Sequence, residues 1–410
     1  MTRSSADTAP KKRKKLLFVC SEDWYFVSHR LALARAAQVR GWEIVIACRA
    51  NAAAEGLREE GFRVIDLKIA RGGLSPVSSL GTIINLVSII RREKPVIVFN
   101  IAIQCVVLAS IATTLAGFIK TVNLVTGLGS TFVATGQKSR LVRKAIGAIL
   151  WIMSKRRSVH VIVQNRDDAE LIQDYGFVLS RLTVILGSGV DTAIFFPRQS
   201  ASTGADVNAV TVTNKVLATH RDTEGCPHRL TAIFVARMLW AKGVGDVVAA
   251  AKMLREKGRN YRFLLVGSAD AFNADKVDSS QLQKWHDEGV VEWLGRRSDI
   301  VELFQQSDVA LLPSYYREGV PKALLEAASC GLPLIACDVP GSREIVRDGD
   351  TGFLIPARDQ KALAQAIETL MEDVHLRKEM GNNARQMIVE DLSDQKIVAK
   401  TMAVIEDLLG

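Results

Sequence analysis

The feature of this sequence that most constrains its fold is a regular alternation of short apolar runs with longer segments of helical periodicity. An apolar run of about four to eight residues between turn signals predicts a strand buried on both faces. Such strands alternating with helices form parallel sheets that helices cover on both sides. In the first half of the chain the predicted strands are Leu16–Cys20, Glu43–Cys48, Val64–Lys68, Val96–Asn100, Thr121–Thr126, Val159–Gln164 and Leu182–Leu186, and the first two helices are Val27–Gly41 and Ala52–Gly61.

The alternation stops between Pro197 and Arg229 and then begins again. Serine, threonine, glycine and aspartate dominate the start of this interval, which is typical of a linker or loop. In the second half the predicted strands are Thr231–Ala236, Arg262–Gly267, Val290–Leu294, Val309–Pro313, Leu334–Cys337 and Gly352–Ile355, with helices at Val244–Lys257, Asp299–Gln306, Lys322–Cys330 and Gln360–Glu372.

These patterns divide the chain into five predicted parts. Residues 1–14 form a disordered basic tail, 15–198 a first α/β domain, 199–228 a linker or loop insertion, 229–385 a second α/β domain, and 386–410 a C-terminal helix that can pack back on the first domain. Both domains are expected to be doubly wound and Rossmann-like. Ligands of open parallel sheets bind at the carboxyl ends of the strands, so we expect the site in the cleft between the domains.

The net charge of +9 is unevenly distributed. Residues 1–198 contain 28 basic and 14 acidic residues, a net charge of +14, whereas the remainder contains 25 basic and 30 acidic residues, a net charge of −5. This asymmetry suggests that only the first half meets an anionic partner. Anionic lipid, a phosphorylated acceptor and nucleic acid are candidates, but no helix-turn-helix, zinc finger or aromatic RNA-binding motif supports nucleic acid.

Two basic segments are candidates for membrane contact. Residues 11–15 are five consecutive cations, which form either a solvated tail or a polybasic contact with anionic lipid. Ser139–Arg157 combines apolar residues at helical spacing with six basic residues and Trp151. It is either an amphipathic helix at the membrane interface or a domain helix with a solvated basic face, and the charge asymmetry favours the interface.

The sequence favours a cytosolic protein without a membrane span. Ile101–Ile119 is uncharged and long enough for a span, but it contains polar residues and lies between two predicted strands, so we expect a buried helix. The apolar run Leu16–Cys20 is too short for a secretory signal. The six cysteines lack metal-ligand and Cys-x-x-Cys spacing, which predicts free thiols in a reducing compartment.

The segment Pro313–Ala327 contains the residues that most clearly indicate chemistry. It follows a predicted strand, bends at Gly319 and enters a helix for which Pro321 suits the first position. The free N–H groups and positive dipole end of that helix would face the cleft and favour a diphosphate. Glu318 precedes the helix and Glu326 lies on it, so their carboxylates can accept hydrogen bonds from hydroxyls at the two ends of a sugar-nucleotide.

Three glycine- and proline-containing segments follow in order, at Gly331–Ala336, Pro340–Val346 and Asp348–Leu354. Together with the Glu-x7-Glu string, they resemble the family 4 retaining glycosyltransferases, which have the two-domain GT-B fold. The resemblance runs from Leu16 to Gly410 and is most specific in the second domain.

The resemblance implies roles for the residues of the Glu-x7-Glu segment. Glu318 would hold the donor sugar, and Glu326 would hold the ribose of the nucleotide. The backbone of Gly319 and Val320, just before Pro321, would approach the diphosphate.

The resemblance also covers the upstream segment Val235–Gly243, which is similar to the family's Arg…Lys-Gly segment. Arg237 and Lys242 would then neutralise the diphosphate as its bond to the sugar breaks. Arg296 would lie near the base. We expect no metal requirement, since Asp348-Gly349-Asp350 is explained by a turn.

The first domain is expected to hold the acceptor. Trp24 and His29 follow the first strand at a predicted turn, and Gly127 and Gly129 follow another strand, where they allow backbone approach to a ligand. Both segments resemble the bacterial branch that acts on polyprenyl-diphosphate-linked saccharides. Many family 4 enzymes have a cleft histidine in the region of Gly127, but this sequence has none there. For His29, a functional role and simple packing are alternatives.

The resemblance therefore implies transfer of a hexose or N-acetylhexosamine from a nucleotide diphosphate sugar, with UDP as the expected nucleotide, to a lipid-linked saccharide in cell-surface polysaccharide synthesis. The protein would act peripherally at the cytoplasmic face of the inner membrane. Two alternatives are a transferase for a soluble acceptor and a nucleotide-sugar-binding module without catalysis. Membrane fractionation distinguishes the first alternative, and a turnover assay the second.

Overall fold

A computed structural model of the chain describes residues 14–69, 76–128, 137–198, 229–270 and 273–410. They form two α/β units, each built on one parallel sheet. The first sheet has the strand order β3-β2-β1-β4-β5-β6-β7. Its strands are β1 (Lys15–Glu22), β2 (Glu43–Arg49), β3 (Arg63–Asp66), β4 (Ile97–Ile101), β5 (Lys120–Val125), β6 (Val159–Val163) and β7 (Leu182–Val184).

The second sheet has the strand order β10-β9-β8-β11-β12-β13, again with parallel pairs throughout. Its strands are β8 (Thr231–Val235), β9 (Arg262–Val266), β10 (Glu292–Trp293), β11 (Val309–Leu312), β12 (Leu334–Cys337) and β13 (Gly352–Ile355). Two doubly wound sheets in one chain confirm the predicted fold class. The predicted linker, residues 199–228, lies outside the described residues.

Each sheet reverses its strand order beside its first strand. In the first sheet β1 pairs with both β2 and β4, and in the second β8 pairs with both β9 and β11. The connections after the two central strands leave in opposite directions, which opens a crevice at the carboxyl edge of the sheet. In the second unit the segments that follow β8 and β11 both begin at this crevice, which brings residues 236–243 close to residues 313–319.

Helices cover the faces of both sheets. In the first unit they are α1 (Asp23–Val39), α2 (Ala54–Glu59), α3 (Pro76–Glu93), α4 (Ile103–Leu115), α5 (Gln137–Ser154) and α6 (Arg166–Asp174). In the second they are α7 (Val244–Glu256), α8 (Ser279–Asp287), α9 (Ile300–Gln305), α10 (Lys322–Ser329), α11 (Gln360–Glu372), α12 (Val374–Met387) and α13 (Asp394–Asp407).

The uncharged segment Ile101–Ile119 forms the end of β4, all of α4 and the connection to β5. Helix α4 packs on α3 and on the central strands, and eight of its residues are buried. This confirms the predicted buried helix. Among the described residues, no helix is long and apolar enough to cross a membrane. The five described cysteines are buried free thiols, as predicted.

The start of α1 differs from the prediction. The helix begins at Asp23, directly after β1, rather than at Val27. The buried Asp23 carboxylate accepts the Trp24 N–H at 2.7 Å and the Asn51 N–H at 2.6 Å. The carboxylate therefore accepts one N–H at the helix start and one from the segment after β2, and the chain enters the helix without the predicted turn.

The C-terminal segment is not one helix beginning at residue 386. Helix α12 ends at Met387, a π-helical turn spans Ile388–Leu392, and α13 begins at Asp394. Between the turn and α13, Ser393 is extended and pairs with Val190 of the first unit, where Asp394 N donates to Val190 O at 2.9 Å. This crossing requires extended backbone, which interrupts the helix. Helix α13 then packs on α1.

Ala102, between β4 and α4, has a strained backbone conformation that a substitution can test. Its φ of 69° and ψ of 152° fall in a region that is almost restricted to glycine. We expect Ala102→Gly to raise the free energy of unfolding by about 1 kcal/mol, because relief of strain outweighs the greater entropy of the unfolded chain. Urea denaturation measures this. The control Ala109→Gly, within α4, should destabilise by about 1 kcal/mol or more. Equal destabilisation by both changes would contradict the expectation.

Candidate active site

An ion pair between Lys242 and Glu318 lies where the order of the second sheet reverses. Lys242 ends a 3₁₀ turn, Trp240–Lys242, that follows β8, and Glu318 lies in the connection after β11. The Lys242 Nζ atom is 2.6 Å from each carboxylate oxygen of Glu318. Both side chains are largely buried, and the buried Ser314 hydroxyl lies 3.4 Å from Glu318 Oε1. The structure therefore brings together two residues that lie 76 positions apart.

Position 243, directly after Lys242, requires a glycine. Its φ is +82°, and a Cβ atom there would lie 2.3 Å from the carbonyl oxygen of Pro313. Only glycine adopts this conformation without strain and leaves room for the neighbouring chain. The backbone after β8 can therefore approach the backbone after β11, and this approach places the Lys242 ammonium against Glu318.

Arg237 is near this pair in the chain but has a different partner. Its Nη1 atom is 2.9 Å from Oδ2 of Asp270, and its side chain is 55% exposed. Asp270 follows β9, which lies beside β8 in the sheet. Asp270 is not among the predicted site residues, although it follows a predicted strand at the same sheet edge. Both predicted cations thus face carboxylates in the structure.

Pro321 is the N-cap of α10 rather than its first helical residue, which corrects the prediction. Its ψ of 121° is extended, and its carbonyl oxygen accepts the N–H groups of Leu324 and Leu325 at 3.2 and 3.3 Å. The fixed φ of proline suits either position, so the sequence could not distinguish them. Val320, just before it, is partly buried and packs on the core.

Glu326 faces the boundary between the two units. It is mostly buried, and its Oε1 atom lies 3.6 Å from Nζ of Lys322, one helical turn earlier. Burial raises the pKa of Glu326, while the positive charge of Lys322 opposes that rise. Lys322 also donates to the backbone oxygen of Ser28, and its Nζ lies 3.3 Å from the Ser28 hydroxyl on α1. Arg296 is exposed after β10, at the carboxyl edge of the second sheet.

Gly127 lies against the second unit. Its φ is +118°, and a Cβ atom there would lie 2.6 Å from Gly319 N and 2.8 Å from Glu318 C. Beside it, Gly319 N donates to Thr126 O at 2.9 Å. The Gly319 N–H therefore has a protein partner and is not free for a diphosphate in this arrangement. Gly129 lies outside the described residues.

Trp24 and His29 lie on α1 instead of in a turn. Trp24 is 52% exposed in the first helical turn. The His29 ring stacks on the Tyr25 ring with centroids 4.1 Å apart, and its Nδ1 atom is 3.2 Å from Tyr25 O. Burial, together with the nearby charges of Lys322 and Arg30, lowers the pKa of His29 to about 3. A neutral, stacked imidazole favours the packing alternative.

Comparisons with known proteins cover both units. Residues 220–387 match the family model described as glycosyl transferases group 1, and residues 15–165 match the model described as glycosyl transferase 4-like. This chain is a family 4 glycosyltransferase. The family matches confirm two predictions at the level of the family. One is that the second unit is the sugar-nucleotide unit of a glycosyltransferase, and the other is that the first unit belongs to the same enzyme.

Individual relatives of this glycosyltransferase match along most of the chain. One is the N,N'-diacetylbacillosaminyl-diphospho-undecaprenol alpha-1,3-N-acetylgalactosaminyltransferase of Campylobacter jejuni, with 28% identity over 92% of this chain and 94% of that protein. Another is the UDP-Gal:alpha-D-GlcNAc-diphosphoundecaprenol alpha-1,3-galactosyltransferase of Escherichia coli, with 26% identity over 90% of each. The crystal structure of Anabaena HepE with UDP and glucose has the same fold, with a TM-score of 0.72, 18% identity and coverage of 96% of this chain and 99% of that one.

The glycosyltransferase holds the Glu318 segment with first-unit residues that the sequence analysis missed. Asn165 Nδ2 lies 3.4 Å from Glu318 O. A Cβ atom on Gly319 would lie 2.0 Å from Oε1 of Gln164 and 2.6 Å from Thr126 O. All three residues directly follow β5 or β6. Their place at the carboxyl ends of predicted strands is the sequence signal that marks them as site residues.

The Asp-Gly-Asp string of the glycosyltransferase is a turn, as predicted. Asp348 Oδ1 accepts Leu354 N at 2.9 Å, and Asp350 Oδ1 accepts Asn383 Nδ2 at 2.8 Å. Each carboxylate therefore has a hydrogen-bond donor within the protein. In the described part of the chain, no cluster of three or more histidine, cysteine, aspartate or glutamate residues could hold a metal ion.

The lowered pKa of His29 makes a prediction about stability in acid. The folded protein resists protonation of this ring, so its contribution is complete above the ordinary pKa of about 6.5 and is lost as pH falls towards 3. As pH falls below 6.5, the free energy of unfolding should decrease less in the His29→Gln variant than in the native protein. The two decreases should differ by up to about 1.4 kcal/mol per pH unit. Urea denaturation at pH 8, 6 and 5 tests this. The pH 8 values give the cost of lost stacking, and parallel curves would contradict the expectation.

Proposed function

We propose that this glycosyltransferase moves a hexose or N-acetylhexosamine from a UDP-sugar to a saccharide carried on a polyprenyl diphosphate, in the synthesis of a cell-surface polysaccharide. The supporting observation is that two relatives, each matching some nine tenths of the chain, have such an acceptor in their names. Their match extends over the first unit, which is where an acceptor would bind. The printed name of the Escherichia coli relative includes a UDP-sugar donor.

The donor would bind over the Lys242–Glu318 pair. Glu318 accepts hydrogen bonds from the sugar hydroxyls, and Lys242 moves from the Glu318 carboxylate towards the diphosphate. Arg237, at the edge of the crevice, exchanges Asp270 for the same diphosphate. Glu326 accepts hydrogen bonds from the ribose. The bond between the anomeric carbon and the diphosphate oxygen breaks with growing negative charge on the diphosphate, which these cations stabilise.

The reaction would retain the configuration of the anomeric carbon. The acceptor hydroxyl approaches from the side of the leaving diphosphate, its oxygen bonds to the anomeric carbon, and its proton passes to the departing phosphate oxygen. No protein base is then required. The low pKa of His29, set by burial, makes that ring a weak base and is in keeping with this route. Two cations also supply the charge that a divalent metal ion would provide, so no metal is needed.

The first unit would contact the anionic cytoplasmic face of the inner membrane through α5. Leu141 is 70% exposed on this helix, and Trp151 and Ile152 are each 54% exposed. Arg140, Arg143 and Lys144 line one shallow groove with Trp151. Exposed apolar and basic side chains on one helix suit the boundary between lipid headgroups and acyl chains. Such contact would bring the enzyme to a membrane-anchored acceptor.

The first test of the proposed function is turnover. Purified protein is incubated with a panel of UDP-sugars and polyprenyl diphosphate saccharides, and release of UDP and extension of the lipid are measured. We expect UDP release that depends on the acceptor and persists with a chelator. Glu318→Ala should lower turnover by roughly 100-fold or more, because it removes contacts made in the transition state.

Each other outcome of the turnover assay has a defined meaning. Extension of a soluble sugar but of no lipid-linked saccharide would contradict the proposed acceptor. UDP-sugar binding without turnover would indicate a module without catalysis. The matched control is Glu302→Ala, an exposed-face glutamate of α9 away from the crevice, which should leave turnover within about twofold.

The membrane contact is tested by flotation with vesicles containing phosphatidylglycerol. We expect the triple variant Arg140→Glu, Arg143→Glu, Lys144→Glu to bind at least about tenfold more weakly, since each cation near an anionic surface contributes about 1 kcal/mol. The control reverses three exposed charges elsewhere, with Lys378→Glu, Lys396→Glu and Lys400→Glu. A variant lacking residues 1–13 separates the tail from the helix. Equal loss in both triple variants would contradict a specific role for α5.

A further inference from the structure

We propose that Asn165 and Asp168, at the first turn of α6, are positioning residues that hold the connection carrying Glu318 in its reactive place. The observation is that these two side chains contact the second unit at the Arg317 guanidinium group and at the Glu318 backbone carbonyl. The proposal rests on the role of Glu318 in the proposed function. It adds a first-unit component to a site whose donor-binding residues all belong to the second unit.

The two side chains form a closed set of hydrogen bonds within the first unit. Asn165 is the N-cap of α6, and its Oδ1 atom accepts Asp168 N at 2.7 Å. The Asn165 Nδ2 group donates to Asp168 Oδ2 at 3.0 Å. Leu128 N donates to the same carboxylate oxygen at 3.3 Å. Both side chains are buried, so the start of α6 is fixed to the turn that follows β5.

The same two side chains reach the second unit at consecutive residues. Arg317 Nη2 lies 3.7 Å from Asp168 Oδ1, and Asn165 Nδ2 lies 3.4 Å from Glu318 O. Beside them, Gly319 N donates to Thr126 O at 2.9 Å. Three consecutive residues, 317 to 319, are therefore held from the first unit, while the Glu318 carboxylate is held by Lys242 of the second.

Capping of α6 does not explain why Asp168 has a buried carboxylate. Asn165 already accepts an N–H group at the helix start, yet Asp168 is only 1% exposed. Burial raises the pKa of Asp168, and its hydrogen bond from Asn165 and the charge of Arg317 act against that rise. A carboxylate this deeply buried is costly without a cation. The cation comes from the residue next to Glu318, so the pair links the two units at the reactive segment.

The consequence is that Glu318 depends on the first unit for its position. The second unit binds the donor. Glu318 is correctly positioned for that donor when the turn after β5 and the start of α6 contact residues 317–319. A displacement of about 1 Å at a reacting group can lower the rate on the order of 100-fold. Loss of the Asp168–Arg317 contact should therefore lower kcat far more than it lowers affinity for the nucleotide.

The neighbouring residue Asp167 provides a matched control. It lies on the same helical turn and also pairs with the second unit, where its Oδ1 atom is 3.5 Å from Arg343 Nη1. Arg343 belongs to a different segment, after β12. Asp167→Asn thus removes one carboxylate charge and one contact between the units without altering the contact to Arg317.

The experiment compares Asp168→Asn, Arg317→Gln, the double variant of these two, Arg317→Lys and Asp167→Asn in the full chain. Steady-state kinetics use the donor and acceptor found in the turnover assay, and UDP affinity is measured by calorimetry. We expect Asp168→Asn and Arg317→Gln each to lower kcat 10- to 100-fold with UDP affinity within threefold. The double variant should be no worse than the poorer single one, Arg317→Lys should retain most activity, and Asp167→Asn should stay within twofold.

Several results would overturn this role. They are an equal loss in Asp167→Asn, multiplicative losses in the double variant, or a loss of UDP affinity as large as the loss of kcat. Asp168→Asn keeps the N-cap Asn165 and an acceptor for Leu128 N, and thermal unfolding within a few degrees of the native protein confirms its fold. If Glu318→Ala abolishes turnover while Asp168→Asn does not affect it, only this inference fails. If Glu318→Ala is active, the proposed function and this inference both fail.

Discussion

The bidentate ion pair between Lys242 and Glu318 organises the second unit of this glycosyltransferase. Two opposite charges in a largely buried crevice are tolerable only as a pair, because each alone would lose its hydration without compensation. The contact at 2.6 Å is possible because the chains after β8 and β11 leave adjacent strands at the same sheet edge. Gly243 then lets the two backbones approach. In the proposed function, an incoming diphosphate replaces the carboxylate as the partner of the ammonium group, and hydroxyls of the donor sugar donate hydrogen bonds to the released carboxylate.

A second set of contacts joins the segment that carries Glu318 to the first unit. Gly127 and Gly319 have no side chains, and their backbones meet where a Cβ atom on either glycine would overlap atoms of the other unit. Thr126, Asn165 and Asp168 provide the polar contacts around this meeting point. Because both sheets present their carboxyl edges here, residues from both units converge on Glu318. Helix α13 packs on α1 at another place, which also joins the C-terminal segment to the first unit.

Residues with a local signature were predictable. Glu318 and Lys242 were identified from strings whose glycines, prolines and charges have fixed spacing, and the strands Leu334–Cys337 and Gly352–Ile355 were predicted with their observed bounds. Errors occurred where a distant contact decided the local geometry. Asp23 starts α1 early because Asn51 donates to it, and Ser393 breaks the last helix because it pairs with Val190. Asp270, Asn165 and Asp168 were missed because their partners are remote in the chain.

The sequence by itself determined that this chain is a tandem of two parallel α/β units and that its second unit carries the residues of a sugar-nucleotide site. Strand and helix periodicity and short-range motifs depend on interactions within a few residues, so they can be recognised without coordinates. Only the tertiary structure decided which carboxylate each cation meets, that the Gly319 N–H is bound by Thr126, and that His29 is a packed neutral ring. These properties depend on the distance between segments and on burial, which the fold sets and the order of residues does not reveal.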